Sequence, residues 1–329
     1  MAAPVGSPGP PYACSMQVTP ATTIAYLGPA GTFTEEALLS QPDLAAAKRL
    51  TFGSFWDILD AVDQGHADIG LVPIENSIEG TVNVTLDQLI FAHDLWIVRE
   101  FHLSVSQCLV GVAGATLEMV KKVISIPVAT AQCRTWLSEH LAGAEEDSSP
   151  STADAVRRVA EAQDPQVAAI GTKHAAELYG LETLASGIED HDGNTTRFIV
   201  VARPQWGIPA PTGHDKTSIV CFQSSDRPGS LHMILGQFAA RNLNLNKLES
   251  RPTKKALGEY CFAIDIEGHL ADEVLADCLR DLHATLPRVK FLGSYPAGGA
   301  HGERRREAAS EAWLAADNWI QALKDHFER

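Results

Sequence analysis

Segments with the character of β-strands and of helices alternate along most of the chain, and this alternation restricts the possible folds more than any other feature. Apolar runs such as TTIAYLG and ADIGLVPIE precede segments such as SFWDILDAVDQG and TLEMVKKVIS, whose apolar residues have helical spacing. An alternating chain places helices on a mostly parallel sheet, or on two small sheets. We therefore predict an α/β fold from residue 23 onward, with helices over both of the helical segments.

The pattern changes after the segment ARPQWGIPAPTGHD, which holds three prolines and two glycines between two apolar strands. This composition is typical of a linker. Beyond it the segments follow the order βαββαβ, which predicts a small ferredoxin-like domain. The open sheet edge of such a small unit favours self-association, so we expect a homodimer or homotetramer in which these domains are paired.

Composition argues against several classes of function. The net charge of -15 disfavours binding to nucleic acid or to anionic membrane surfaces. No apolar run approaches the roughly 20 residues that span a bilayer. The six cysteines include no CxxC pair and the twelve histidines show no metal-ligand spacing. We expect buried thiols, no metal and a cytoplasmic location.

Two polar motifs lie directly after strands of the first region. The Gly-rich turn GPAGTFT can cradle an anion at a helix N-terminus, or it can be an ordinary capped turn, and the pattern leaves both open. In VPIENSIEGTVNVTLDQL, Pro73 is expected to interrupt the strand, and Glu75, Asn76 and Ser77 crowd at its end. Open α/β sheets bind ligands at that end, which favours recognition of an oxygen-rich small molecule.

Two further motifs indicate little by themselves. ISIPVATAQC places Ser125 and Gln132 around a proline and is typical of a solvated loop. HDGNTTRFIVV places an amide, two hydroxyls and a guanidinium before an apolar strand. In this motif Arg197 can pair with a carboxylate and Thr196 can donate to a leaving oxygen, but the local pattern alone favours a turn with a surface arginine.

In the second domain, SSDRPGSLHMI is a glycine-containing loop that enters a helix, and LNLNKLESRPT ends a strand with polar residues. Together these segments can hold an amino acid between paired domains. They are equally consistent with loop and edge residues that bind nothing.

Taken together, the motifs resemble the prephenate dehydratase family. The matching segments are AYLGPAGTFTEEA, GLVPIENSIEGTVNVTLD, AAELYGL and GNTTRF, followed by RPGSL and ESRP in a domain that resembles the ACT regulatory module. The resemblance implies a two-lobed catalytic domain like a type II periplasmic binding protein, followed by the ferredoxin-like ACT domain. It implies conversion of prephenate to phenylpyruvate, carbon dioxide and water, without metal or organic cofactor, and feedback by L-phenylalanine.

The expected organisation has five parts. They are a disordered tail at 1–22, a catalytic domain at 23–203 whose second lobe covers about 98–178, a linker at 204–215, an ACT domain at 216–296, and a helical tail at 297–329. In the tail, Trp313, Ala316, Ile320 and Leu323 fall on one helical stripe, which we expect to pack on the body of the protein or on a partner subunit.

The resemblance also implies roles for individual residues. Thr196 is the catalytic hydroxyl, with Asn76, Ser125 and Gln132 beside it, while Ile126 and Val128 stand where the family has His and Gln. The residues expected to bind substrate are Gly31, Thr32, Phe33, Glu75, Ser77, Gly80, Thr81, Arg197 and Phe198. The residues expected to bind L-phenylalanine are Gly229, Ser230, Leu231, Glu249, Ser250, Arg251 and Pro252.

Three other functions remain open at this point. An arogenate dehydratase would use the same site, and only competition between the two substrates separates it. A prephenate decarboxylase that does not aromatise is disfavoured by Thr196. A non-catalytic amino-acid sensor would not need Thr196 beside Asn76, Ser125 and Gln132. Arg197 keeps two possible roles, as a carboxylate partner for substrate or as an ion pair that positions Thr196.

Overall fold

The computed structural model describes residues 17–223, 227–254, 259–298, 318–320 and 322–324. These residues form two units. One comprises Gln17–His93 and Phe101–Arg203, and the other comprises Asp94–Glu100 and the chain from Pro204 onward.

The first unit begins with alternating strands and helices around one sheet. Its strand order is β2-β1-β3-β11-β5, and β4 pairs with β3. The elements are β1 Thr23–Leu27, α1 Phe33–Leu39, α2 Pro42–Ala45, β2 Lys48–Phe52, α3 Phe55–Asp63, β3 Ile69–Asn76, β4 Gly80–Thr81, α4 Asn83–Phe91, β5 Trp96–Ser104 and, later in the chain, β11 Thr195–Ala202.

The central strand β3 runs parallel to β1 and antiparallel to the returning strand β11. Its first six residues, from Ile69 to Ile74, are all buried, as expected for a strand covered by helices on both faces. Pro73 does not interrupt β3 as predicted. It lies within the strand opposite Phe198, and the register shifts between Arg197 and Phe198. A bulge of this kind accommodates a residue that has no N–H to donate.

A second sheet in the same unit has the order β10-β6-β9-β7-β8. Its elements are β6 Cys108–Gly111, β7 Lys122–Ser125, α5 Pro127–Gln132, α6 Arg134–His140, β8 Glu145–Ser148, α7 Thr152–Ala162, β9 Val167–Gly171, α8 Lys173–Tyr179 and β10 Glu182–Ser186. The predicted α/β class with two lobes is confirmed. The strands of the second lobe span 108–186, whereas β5, expected there, belongs to the first sheet.

Two local predictions in the second lobe are wrong. The helix expected over TLEMVKKVIS is a short 3-10 turn at Leu117–Met119 followed by strand β7. Val123 and Ile124 are both buried, because β7 is an interior strand whose two faces are covered, and its apolar run therefore lacks the alternation of a surface strand. The loop expected over ISIPVATAQC is instead the end of β7 and the helix α5, which starts at Pro127.

The second unit contains the βαββαβ arrangement, with strand order β13-β14-β12-β15. Its elements are β12 Asp215–Phe222, α9 Ser230–Ala239, β13 Leu245–Pro252, β14 Tyr260–Glu267, α10 Glu273–Thr285 and β15 Arg288–Pro296. The two helices pack on one face of the sheet, where Ile234 and Phe238 of α9 meet Leu275 and Leu282 of α10. The predicted ferredoxin-like fold is confirmed.

The beginning of β5 clusters with the second unit and was not expected there. Trp96 packs edge-to-face on Phe291 with ring centroids 5.3 Å apart. Glu100 is buried and accepts from Lys216 Nζ at 2.7 Å. A Cβ at Gly293 would lie 2.2 Å from the Ile97 carbonyl oxygen, so this contact requires glycine.

Several predictions concern the chain ends. Residues 1–16 of the expected disordered tail lie outside the described residues, while 17–22 hold a turn in which Thr22 is buried. In the predicted helical tail, 318–320 and 322–324 are helical, and Trp313 and Ala316 lie outside the described residues. Within the described ranges, every helix is too short or too polar to cross a bilayer.

Candidate active site

Thr196 and Asn76 lie directly opposite each other in the antiparallel pairing of β11 with β3. Asn76 Nδ2 donates to Thr196 Oγ1 at 3.0 Å. The other end of the same amide, Oδ1, accepts from the backbone N–H groups of Ile78 and Glu79 at 2.9 and 3.0 Å. Backbone N–H groups only donate, so they fix which end of the Asn76 amide faces Thr196. Thr196 Oγ1 is therefore an acceptor here, and its own proton remains for another partner.

The Asn76 side-chain amide belongs to a series of hydrogen bonds that joins the two lobes. Asn76 Nδ2 also donates to Asn194 Oδ1 at 2.7 Å, and Asn194 Nδ2 donates to Gln132 Oε1 at 3.4 Å. Gln132 Nε2 in turn donates to Glu79 Oε1 at 3.0 Å. Gln132 comes from α5 of the second lobe, and Asn76 and Glu79 come from the first lobe. The structure thus brings together three of the four residues predicted to be catalytic.

Ser125, the fourth, does not join this cluster. Its side chain is 1% exposed, and Oγ donates to the Ile170 carbonyl of the neighbouring strand at 2.9 Å. The hydroxyl therefore ties the ends of β7 and β9 together and is not presented to solvent. Next to Gln132, burial raises the pKa of the Cys133 thiol to about 12, so this thiol is not a nucleophile near neutral pH.

Arg197 and Glu75 occupy the opposite face of the strand pair. They are register partners one position from Thr196 and Asn76, and side chains on a strand alternate between faces. Arg197 is 8% exposed, and its Nη1 lies 3.3 Å from Glu75 Oε2. This geometry favours the structural ion pair over a substrate contact. Both residues were predicted to bind substrate, and neither side chain lies on the face of Thr196.

Four other predicted substrate residues have different surroundings. Phe198 is 2% exposed and stacks on Phe101 at 6.1 Å, so it belongs to the core. Ser77 Oγ accepts from the Thr195 backbone N–H at 2.9 Å and so holds the segment before β11. Gly80 and Thr81 form β4, which pairs with the end of β3 beside the cluster.

The expected anion cradle at the start of α1 is occupied by the chain itself. The Gly31 N–H donates to Glu35 Oε2 at 2.6 Å, and Thr32 Oγ1 accepts from the Glu35 N–H at 3.2 Å. Tyr26 OH donates to Glu35 Oε1 at 3.1 Å, and burial, together with this carboxylate, raises the Tyr26 pKa to about 12. The Gly31 N–H is thus paired with a buried carboxylate, and the Thr32 hydroxyl donates to the Leu27 carbonyl at 2.9 Å. Phe33, the first residue of α1, is half-buried.

The same turn also contacts the second lobe. Thr172 Oγ1 donates to the Gly31 carbonyl at 3.1 Å, and Tyr179 OH donates to the Ala30 carbonyl at 3.3 Å. A cavity of about 410 Å³ lies beside this contact, between the two lobes. Its lining includes Leu27, Pro29, Thr51, Phe52, Pro150 and Ser151. Thr196 and Asn76 are not among the residues that line it.

The residues predicted to bind an effector lie at two places in the second unit. Gly229, with φ +86°, precedes α9, where Ser230 Oγ donates to Gln223 Oε1 at 2.8 Å and Leu231 packs on the core. The other four residues are the last of the edge strand β13: Glu249, Ser250, Arg251 and Pro252. The structure places each set on a separate element of one domain.

Sequence reasoning missed two members of the cluster, Asn194 and Glu79. Both belong to segments that were singled out, GNTTRF and VPIENSIEG, but neither was given a role. The signal that identifies them is three-dimensional, since each pairs with the α5 residue Gln132. Among the described residues, no grouping of His, Cys, Asp and Glu has the arrangement of a metal site.

Comparison with known proteins gives consistent results. The family model for prephenate dehydratase matches residues 24–205, and the model for the ACT domain matches residues 217–284. Prephenate dehydratase of Mycobacterium leprae is 44% identical over 287 residues, which cover 85% of this chain and 88% of that protein.

Two solved structures are similar over most of the chain. The prephenate dehydratase of Arthrobacter aurescens in complex with L-Phe has a TM-score of 0.81 and 40% identity, and the match covers 92% of this chain and 100% of that one. A protein described as a novel type of quorum-quenching acylase has a TM-score of 0.74 and 30% identity, with 84% and 98% covered.

Proposed function

The chain belongs to the prephenate dehydratase family and carries a C-terminal ACT domain, and we propose that it converts prephenate to phenylpyruvate with Thr196 as the hydrogen-bond donor to the leaving hydroxyl. The observation that carries this role is the direction of the hydrogen bond from Asn76 Nδ2 to Thr196 Oγ1. Because the threonine oxygen accepts from Asn76, its own proton is directed to a different partner. A substrate hydroxyl placed beside Thr196 would receive it.

The reaction requires the protein to position the substrate and to supply one proton. The bond between the ring and its carboxylate breaks, and the electron pair enters the ring as carbon dioxide departs. The bond from the ring to the hydroxyl breaks at the opposite carbon, and the oxygen takes that pair. One proton converts the departing hydroxide to water, and aromatisation supplies the driving force. A donor aimed at this oxygen stabilises the charge that develops on it.

A different use of Thr196, as a nucleophile, is disfavoured by its surroundings. A threonine nucleophile needs a neighbouring base to take its proton. The partner of Thr196 is the Asn76 amide nitrogen, which donates, and within the described ranges neither a histidine nor a carboxylate hydrogen-bonds to Thr196. One structural relative is described as an acylase, but these surroundings still favour Thr196 as a proton donor.

The second unit is proposed to bind L-phenylalanine as a feedback effector. Support comes from the match to the ACT family model and from the L-Phe complex of the related Arthrobacter aurescens enzyme. The residues assigned to the effector are the loop Gly229–Leu231 and the end of β13, Glu249–Pro252. Among the described strands, β13 lies at the edge of the ACT sheet, and this position supports pairing of two ACT domains in a homodimer or a homotetramer. Five buried cysteines of the described residues form no disulfide, which supports a cytoplasmic location: Cys108, Cys133, Cys221, Cys261 and Cys278.

The experiment is a turnover assay with purified protein, in which phenylpyruvate is read by its absorbance in alkali. Prephenate and arogenate are offered separately and then in competition. We expect phenylpyruvate from prephenate and inhibition by added L-phenylalanine. Preferential consumption of arogenate would indicate arogenate dehydratase, and L-phenylalanine binding without any turnover would indicate a sensor.

A further inference from the structure

We propose that Glu79 is a positioning residue, which acts through Gln132 and Asn194 to set the direction in which the Thr196 hydroxyl donates. The inference rests on the function proposed above. It gives roles to Glu79 and Asn194, which the sequence motifs left without one. It is carried by the continuous chain of hydrogen bonds between the Glu79 carboxylate and Thr196.

Every link in this chain has a defined donor and acceptor. An ionised carboxylate only accepts, so the Gln132 amide must turn its NH₂ group toward Glu79. The 3.0 Å contact between Gln132 Nε2 and Glu79 Oε1 has this orientation. The Gln132 oxygen is thereby left to face Asn194, whose NH₂ group lies 3.4 Å away.

The orientation is then passed on to the catalytic strand. With its NH₂ group directed at Gln132, Asn194 presents Oδ1 to Asn76 Nδ2 at 2.7 Å. The same Nδ2 donates to Thr196 Oγ1 at 3.0 Å. Asn194 is 3% exposed, so water does not readily replace its partners. The three bonds from Asn76 to Glu79 run in one direction and so strengthen one another, while Asn76 Nδ2 uses its second proton for Thr196.

Glu79 contacts this series of hydrogen bonds at two places. The Glu79 backbone N–H donates to Asn76 Oδ1 at 3.0 Å, and the Glu79 carboxylate accepts from Gln132. Glu79 thus fixes Asn76 through its backbone and through two amides. Removing the carboxylate frees Gln132 to turn over, and a turned Gln132 would present NH₂ to the NH₂ group of Asn194. Asn194 then loses the partner that holds its amide, and Asn76 loses the support of Asn194 while keeping the backbone N–H groups of Ile78 and Glu79.

The test is a set of variants assayed with prephenate. We expect Glu79→Ala to lower kcat by about tenfold with little change in KM, because misplacing a catalytic group affects the chemical step. Glu79→Gln retains an acceptor oxygen for Gln132 Nε2, so we expect kcat within about twofold of the wild type. Glu139→Ala, which removes an exposed glutamate of α6, is the matched control and should leave kcat unchanged.

A double-mutant cycle separates action through the amides from a direct effect of the charge. If Glu79 acts through Gln132, then Glu79→Ala added to Gln132→Ala causes no further loss of kcat. Additive losses would overturn the inference, and so would a tenfold loss in Glu79→Gln. Asn194→Ala provides a second cycle in case Gln132→Ala fails to fold, which thermal unfolding would reveal.

Failure of the inference and failure of the proposed function give different results. Wild-type protein that makes no phenylpyruvate refutes the function. The inference is then judged on the crystal structure of Glu79→Ala, where we expect the Gln132 amide to be turned and its contact with Asn194 broken. Unchanged side chains in that structure, or wild-type kcat in an active Glu79→Ala, would overturn it.

Discussion

Replacing Glu35 with alanine tests whether the Gly-rich turn is a structural element or a substrate cradle. Glu35 is 5% exposed, and its carboxylate accepts from Gly31 N–H at 2.6 Å and from Tyr26 OH at 3.1 Å. It also pairs with Arg49 Nη1 at 3.2 Å and lies 3.4 Å from His174 Nε2 of the second lobe. Four partners therefore depend on one buried side chain.

The expected loss follows from the two donors that would remain buried without an acceptor. Gly31 is buried and Tyr26 is 3% exposed, and each unsatisfied donor costs about 1–3 kcal/mol. The Arg49 side chain is 42% exposed, so its ion pair adds little. We therefore expect Glu35→Ala to lower the free energy of unfolding by about 2–6 kcal/mol.

Urea unfolding followed by circular dichroism measures this loss, and prephenate kinetics measured well below the unfolding transition test the function of the turn. Glu177→Ala, which removes an exposed glutamate of α8, is the control and should change stability by less than about 0.5 kcal/mol. If Gly31 does not hold substrate, KM changes by less than about threefold. Unchanged stability would refute the structural role given to Glu35. A KM that changes by more than about threefold would indicate that the Gly-rich turn binds substrate.

Two further predictions concern stability. Gly293→Ala should cost about 3 kcal/mol or more, because φ is +141° and the new Cβ would lie 2.2 Å from the Ile97 carbonyl oxygen. Gly236→Ala, inside α9, should stabilise the protein by about 0.5–1 kcal/mol, because its new Cβ would meet no atom within 4 Å. Effects of the same sign in urea unfolding would contradict the packing described. Stability should also fall above about pH 9, because burial raises the pKa of four groups in the folded protein above their values in the unfolded chain. Each group that is deprotonated only in the unfolded chain lowers the free energy of unfolding by about 1.4 kcal/mol per pH unit. The groups are Cys278, raised to about 11, and Tyr26, Cys133 and Cys221, each raised to about 12. A flat profile between pH 7 and 11 would exclude this.

The strands that sequence reasoning found are those whose burial leaves a pattern. Strand β3 is apolar along most of its length, and the strands of the ferredoxin-like domain lie between clear turns. Among the strands that it missed, β2 and β8 lie at sheet edges and are made largely of exposed polar residues, KRLTF and EEDS, whereas β7 is an interior strand that was predicted to be helical. Edge strands need little apolar surface, so their sequences resemble loops.

The candidate site was predictable in part, for a related reason. Asn76 and Thr196 occur in recognisable motifs, but their contact depends on the register of two strands that are 120 residues apart in sequence. The same register turns Arg197 toward Glu75 and away from Thr196, which no local pattern contains. Asn194 and Glu79 gain their roles only when α5 brings Gln132 between them.

The most direct test of the account is the turnover number of Thr196→Ala, compared with that of Thr196→Ser. The alanine variant should lose about 10²–10⁴-fold in kcat, the range typical of a proton donor, with its unfolding temperature unchanged. The serine variant keeps a hydroxyl that accepts from Asn76 and should retain most of the activity. Near-normal phenylpyruvate formation by a folded Thr196→Ala protein would contradict the role of Thr196 on which this account rests.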